Sequence, residues 1–231
     1  MPKRVAILQS NYIPWKGYFD LIHDVDEFIF YDDVQYTSHD WRNRNRVKTE
    51  NGVRWITIPV GTAHHRRICD VELPAGPWAN QHWTCLTEAY RKASCFDTYR
   101  ESLEAIYLGR SWRWLSDLNQ HLIRTICDWF HLTTHFRDSR DFQLSGRAQD
   151  RLLNLLKQTG ADIYISGPAA AAYIEPHRFA DAGIDLRWKD YRGYPEYTQF
   201  HPPFVHEVSV LDLLFHTGPN AAHYIWGWRE N

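Results

Sequence analysis

Residues 4–33 read RVAILQSNYIPWKGYFDLIHDVDEFIFYDD, and this stretch decides the fold. Val5-Ala6-Ile7-Leu8 is a short apolar run of the kind buried as a strand. Polar Gln9-Ser10-Asn11 and then Pro14 break it, and Pro14 suits the first turn of a helix. Tyr18, Leu21, Ile22 and Val25 recur at helical spacing, and Glu27-Phe28-Ile29-Phe30-Tyr31 is a second buried run that stops at Asp32-Asp33. Strand, loop, helix and strand within about 30 residues make a βαβ unit, which requires the two strands to be parallel.

Working outward, the alternation returns near the C-terminus. Leu152, Leu153, Leu155 and Leu156 mark a helix that Ser145 would cap and Gly160 would end. Strands follow at 162–166 and 184–188, joined through Ser166-Gly167-Pro168 and a helix. Between the two βα regions, Asn51-Gly52 signals a hairpin with Trp55–Val60 as its returning strand. Residues 78–132 carry helical spacing, as in Leu115, Leu118, Leu122, Ile126 and Trp129. Ser209 to Asp212 has capping-box spacing before an apolar helix that Gly218-Pro219 terminates. The expectation is an α/β fold over 1–231: one domain with a Rossmann-like, largely parallel sheet and a helical cluster at 78–132.

Composition sets the function classes aside in turn. With 44% hydrophobic residues in 231, the chain can bury a sizeable core. Lys and Arg total 26 against 28 Asp and Glu, so a generally basic surface for duplex DNA is not expected. No apolar run reaches the roughly 20 residues of a membrane span, and Met-Pro-Lys-Arg leads straight into a strand rather than a signal sequence. Cys69, Cys85, Cys95 and Cys127 form no CxxC pair and no metal-ligand spacing, which favours free thiols and a cytoplasmic setting.

Four places can carry chemistry. The loop after the first strand offers Gln9, Asn11, Tyr12 and Tyr18, whose amides and phenols suit a nucleotide, pantetheine or sugar; an ordinary helix cap fits it equally well. Asp32 and Asp33 can hold a ribose hydroxyl or a metal, or deprotonate an amine, though solvated turn residues look the same. Arg42, Arg44, Arg46 and Lys48 would share one strand face, with Asn43 and Asn45 on the other, and such a row of cations calls for an anionic partner. The competing reading is a charged edge that resists aggregation. Ser166-Gly167 is the weakest place, because one glycine after a strand is usually a plain turn. His201, His206 and His216 offer further bases, but such histidines are mostly loop or core residues. Walker A, G-x-G-x-x-G, G-x-S-x-G and H-E-x-x-H are all missing from the chain, and no metal is expected.

Five segments resemble the WbqC-like proteins: Gln9 to Asp20, Asp32 to Tyr36, Trp41 to Asn45, Tyr164 to Gly167 and Ser209 to Phe215. They span nearly the whole chain in the family's order. Cys95 departs from the family pattern after Tyr90-Arg91-Lys92-Ala93, which argues against a shared cysteine nucleophile. The resemblance implies work in bacterial O-antigen, other glycan or natural-product biosynthesis, with transfer of a glycyl or other acyl group to an amino sugar. In that scheme Asp32 or Asp33 takes the amine's proton, Asn11, Asn43 or Asn45 polarises the carbonyl, and Arg42 and Arg44 hold a donor phosphate. The donor would ride on an acyl carrier protein or aminoacyl-tRNA, the acceptor would be an amino sugar or sugar nucleotide, and no cofactor is called for. The alternatives are a nucleotide-dependent adenylylating enzyme, which would lack its usual His-x-Gly-His, and a non-catalytic sugar-nucleotide binder.

Overall fold

The computed structural model describes residues 1–63 and 65–229. Its strands are β1 (Arg4–Leu8), β2 (Glu27–Phe30), β3 (Arg44–Thr49), β4 (Gly52–Thr57), β5 (His135–Asp138), β6 (Ile163–Ser166) and β7 (Asp185–Trp188). The helices are α1 (Lys16–His23), α2 (Trp78–Tyr90), α3 (Phe96–Tyr107), α4 (Leu115–Trp129), α5 (Ala148–Thr159), α6 (Pro176–Asp181) and α7 (Val210–Thr217). The chain divides into two compact units, one of residues 1–9, 17–33 and 132–193, the other of 10–16, 34–131 and 194–231.

The first unit is the parallel α/β layer. Its sheet has the order β5-β2-β1-β6-β7 with every pairing parallel. Val5 lies opposite Glu27 and Leu8 opposite Phe30, the βαβ register expected from residues 4–33. Val5, Ile7 and Ile29 pack with Leu155 and Leu156 of α5 and with Tyr164 and Phe179, the last two stacked at 5.7 Å. The architecture is therefore α/β and Rossmann-like.

Three local expectations change. β5 adds an edge strand that the apolar pattern does not announce, because His135, Arg137 and Asp138 flank a single Phe136. Ser145 does not cap α5. Arg147 occupies that position and makes no capping bond with its side chain, while Gly160 ends the helix with φ 67° as expected. In the hairpin, pairing begins at Gly52 and ends at Thr57, earlier than the Trp55–Val60 expected from sequence.

The second unit joins the β3–β4 hairpin to α2, α3, α4 and α7. The helical stretch expected at 78–132 resolves into α2, α3 and α4, and the buried side of α4 is Leu115, Leu118, Leu122, Ile123 and Ile126. Phe215 of α7 meets Tyr90 and Phe96 with ring centres 5.1 Å from each. All four cysteines are free thiols. Among the described residues no helix is long and apolar enough to cross a membrane.

Candidate functional site

The loop from Ser10 to Lys16 is held in an unusual shape. Ile13 is buried and carries φ 37°, a conformation that β-branched residues rarely take. Asn45 pins it: its Nδ2 donates to the carbonyls of Tyr12 (3.0 Å) and Ile13 (2.9 Å), and its Oδ1 accepts the Arg46 N–H at 2.7 Å. Tyr12 is fully buried, its hydroxyl bonded to Tyr107 (2.6 Å) and to Nδ1 of His82 (2.8 Å). Burial pushes both phenols well above their ordinary range and drives His82 down to about 4. Asn43 likewise spends its Nδ2 on the Ile58 carbonyl at 2.7 Å. The donors of Asn43 and Asn45 thus serve the backbone. Asn11 differs, since Arg42 engages its Oδ1 rather than its N–H groups.

The cation row is narrower than its spacing suggests. Arg42 precedes the strand and pairs with Asp40 at 3.5 Å. Lys48 is buried, its ammonium on Gln199 Oε1 (2.7 Å) and the Pro203 carbonyl, and burial lowers its pKa. Arg44 and Arg46 remain on the outer face of the hairpin, over two exposed indoles. Arg44 lies 4.3 Å from the Trp55 ring, Arg46 lies 5.6 Å from Trp41 and Trp55, and the indoles are 5.2 Å apart. Interleaved guanidinium and aromatic faces suit a ligand that has both a phosphate and a ring.

The remaining sequence candidates belong to the parallel-sheet unit. Both carboxylate oxygens of Asp33 are engaged: Ser139 Oγ donates to one at 2.6 Å and Arg151 pairs with the other, while Arg151 Nε also reaches Tyr31 at 3.1 Å. Asp32 is fully buried. The Gln9 carbonyl accepts the Tyr18 hydroxyl at 3.0 Å. Ser166 is buried at the end of β6, its carbonyl taking the Lys189 N–H at 2.8 Å. A Cβ at Gly167 would meet only the Tyr191 hydroxyl at 3.8 Å, an ordinary contact, so no crowding demands glycine there. Asp20, His23 and Asp24 bring possible metal ligands within 4.8 Å of one another, but the Lys189 ammonium already sits on both carboxylates, 2.8 Å from Asp20.

Two residues invisible as chemistry in the sequence stand out in the second unit. Asp212 occupies the last position of the expected capping box, yet it does not reach back to the cap. Ser209 does cap α7, accepting the Leu211 N–H at 3.3 Å, but its own N–H goes to the Arg46 carbonyl at 2.9 Å. The fully buried Asp212 carboxylate instead accepts Tyr197 (2.6 Å), Gln199 (2.8 Å) and Tyr90 (2.9 Å). The second residue is Lys16, which is 2% exposed and whose ammonium has no hydrogen-bond partner. The rings of Tyr194, Tyr197 and Phe204 surround it at 4.9, 5.7 and 5.9 Å. Burial pulls its pKa down to about 8, only partly offset by the charges of Asp212 and Glu196. A lysine beside a glycine at a helix start reads as a solvated charge, so no sequence signal marks it.

The chain matches the WbqC-like protein family over residues 9–224 and belongs to it. It is 44% identical over 230 residues to the uncharacterized protein Rv1507c of Mycobacterium tuberculosis, which covers 99% of this chain and 100% of that one. No solved structure matches the chain.

Proposed function

We propose that this protein is an N-acyl or aminoacyl transferase that acylates an amino sugar in glycan or natural-product biosynthesis. The observation that carries the reading is the open face of β3–β4, where Arg44 and Arg46 lie over the Trp41–Trp55 pair. Such a face recognises a phosphate by its guanidinium forks and a sugar or base by stacking. That combination is found in the end of an aminoacyl-tRNA and in a sugar nucleotide, whereas phosphopantetheine on a carrier protein offers the phosphate alone. Asn11, anchored by Arg42, supplies amide donors that can polarise a carbonyl. Asp33 already holds Arg151 and Ser139, which makes it a less available acceptor for the proton of the sugar amine.

The test is reconstitution with candidate glycyl or acyl thioesters and an amino-sugar phosphate, read by mass spectrometry. A product heavier by one acyl unit is expected. A charge-assisted phosphate contact is worth about 1.5–3 kcal/mol, so Arg44→Ala should weaken donor binding roughly 10- to 150-fold with little change in stability. Unchanged affinity in the folded variant would reduce the Arg face to a soluble edge. Pyrophosphate release from ATP without acyl transfer would replace the reading with an adenylylating one.

A further inference from the structure

Lys16 is a costly residue to bury, and its surroundings offer the ammonium ring faces and the nearby charges of Asp212 and Glu196 but no hydrogen bond. A charged amine away from water requires hydrogen bonds or a close counter-ion. Lys16 has no hydrogen-bond partner. The Asp212 carboxylate is engaged by Tyr90, Tyr197 and Gln199 and stands 3.6 Å from His216 Nδ1. The three ring faces attract a cation but give it no hydrogen bond. The environment therefore suits an amine that spends much of its time neutral, with a lone pair free to take a proton.

The groups facing it can be named element by element. From α7 there is Asp212, whose hydroxyl partners are Tyr90 of α2 and Tyr197. From the segment 194–208 there are Tyr194, Glu196, Tyr197 and His206, and the charge of Lys16 helps to hold His206 below the usual histidine range after burial itself. His206 Nδ1 is buried without a partner as well. Glu196 and Glu207 are exposed on that segment and put negative charge on its solvent side. The backbone beneath is fixed: the Val210 N–H donates to the Pro14 carbonyl at 2.8 Å, Trp15 bridges Ser209, and Ile13 holds its strained φ three residues before the amine. Strain of this kind persists where the surroundings over-determine it, and it concentrates at working sites.

We infer that Lys16 is the proton acceptor for an amine-bearing substrate whose ammonium enters beside residues 194–208, an assignment that rests on the acyl-transfer reading above. The acceptor ammonium gives one proton to the neutral Lys16 Nζ. The freed amine forms a C–N bond to the acyl carbon as the C–S or C–O bond to the carrier breaks. The departing thiolate or alkoxide takes the second proton lost by that nitrogen, and Lys16 returns its own to solvent.

The experiment uses the full chain labelled with ¹³C at lysine Cε, with the Lys16 signal assigned by its loss in Lys16→Met. Titration by NMR should give a midpoint near 8, more than two pH units below an ordinary lysine. Lys16→Met should melt at or above the wild-type temperature, because it replaces a buried amine by an apolar chain of similar length. With a thioester donor and amino-sugar acceptor, kcat should fall at least 100-fold in Lys16→Met and in Lys16→Arg, whose guanidinium cannot give up its proton, while the donor KM holds. The acid limb of the wild-type kcat profile should track the NMR midpoint. A midpoint above 10, or a marked loss of melting temperature in Lys16→Met, would make Lys16 structural whatever the turnover. Retained kcat in the folded variant would overturn the assignment too. A wild-type protein that acylates no amine would overturn the acyl-transfer reading, whereas the titration and melting results bear on Lys16 alone.

Discussion

Removing the Asn45 side chain should release the loop that presents Asn11 and Lys16. In Asn45→Ala the carbonyls of Tyr12 and Ile13 lose their donor, and the Arg46 N–H loses its acceptor. A buried polar group left unpaired costs about 1–3 kcal/mol, so the two carbonyls together cost about 2–6 kcal/mol. For a chain of this length each kcal/mol lowers the midpoint by roughly 2–4 °C, which predicts a fall of roughly 4–24 °C. Thermal unfolding followed by circular dichroism, with a urea titration alongside, measures both quantities. Asn45→Asp is the sharper variant. It keeps the acceptor for Arg46 but turns a carboxylate toward two carbonyls, so at neutral pH it should be at least as unstable as Asn45→Ala. Wild-type melting in Asn45→Asp would refute the claim that donation to Tyr12 and Ile13 holds the loop.

Burial of His82 makes the fold acid-sensitive. The folded value of about 4 lies below the ordinary 6.5, so the unfolded chain binds more protons between them. Stability is full above pH 6.5 and falls by roughly 3 kcal/mol as pH drops toward 4, at about 1.4 kcal/mol per pH unit, and the slope in urea midpoints should flatten in His82→Gln. Gly218 has φ 54°, and a Cβ there would stand 2.6 Å from Cys95 Sγ. Gly218→Ala should therefore cost about 1–3 kcal/mol. Cys95→Ala in the same chain should recover part of that loss, as a double-mutant cycle in urea would read out.

The parts of the fold that were legible in the sequence are those where burial dictates residue type. Val5 to Leu8 and Glu27 to Phe30 are buried or nearly so on both faces, as inner parallel strands must be, and their apolar runs say so. β5 lies at the sheet edge with no fully buried residue, so nothing obliges it to be apolar. On β3 the period of two separates Asn43 and Asn45 from Arg44 and Arg46 correctly. It fails at Lys48, whose ammonium finds Gln199 and Pro203, 151 and 155 residues away. Asp212 shows the same limit: serine and aspartate three apart spell a capping box, and only tertiary packing reveals that Tyr90 and Tyr197 claim the carboxylate. Lys16 leaves no trace in the pattern at all, because a lysine signals solvent by default.

The backbone crosses between the two units at 9/10, 16/17, 33/34, 131/132 and 193/194. A ribosome therefore delivers β1 and β2 early, but the β6 partner of β1 begins only at Ile163, after the hairpin, α2, α3, α4, β5 and α5 have emerged. Through most of synthesis, the flank of β1 that carries Arg4 and Val5 has no strand to pair with. An unpaired edge of this kind recruits other chains. The nascent protein should thus lean on chaperones until residue 166 has emerged. No gene fragment cut at a single point yields either unit on its own: one that ends at residue 193 keeps the first unit with residues 10–16 and 34–131 of the second still attached, and lacks Asp212 and every ring around Lys16.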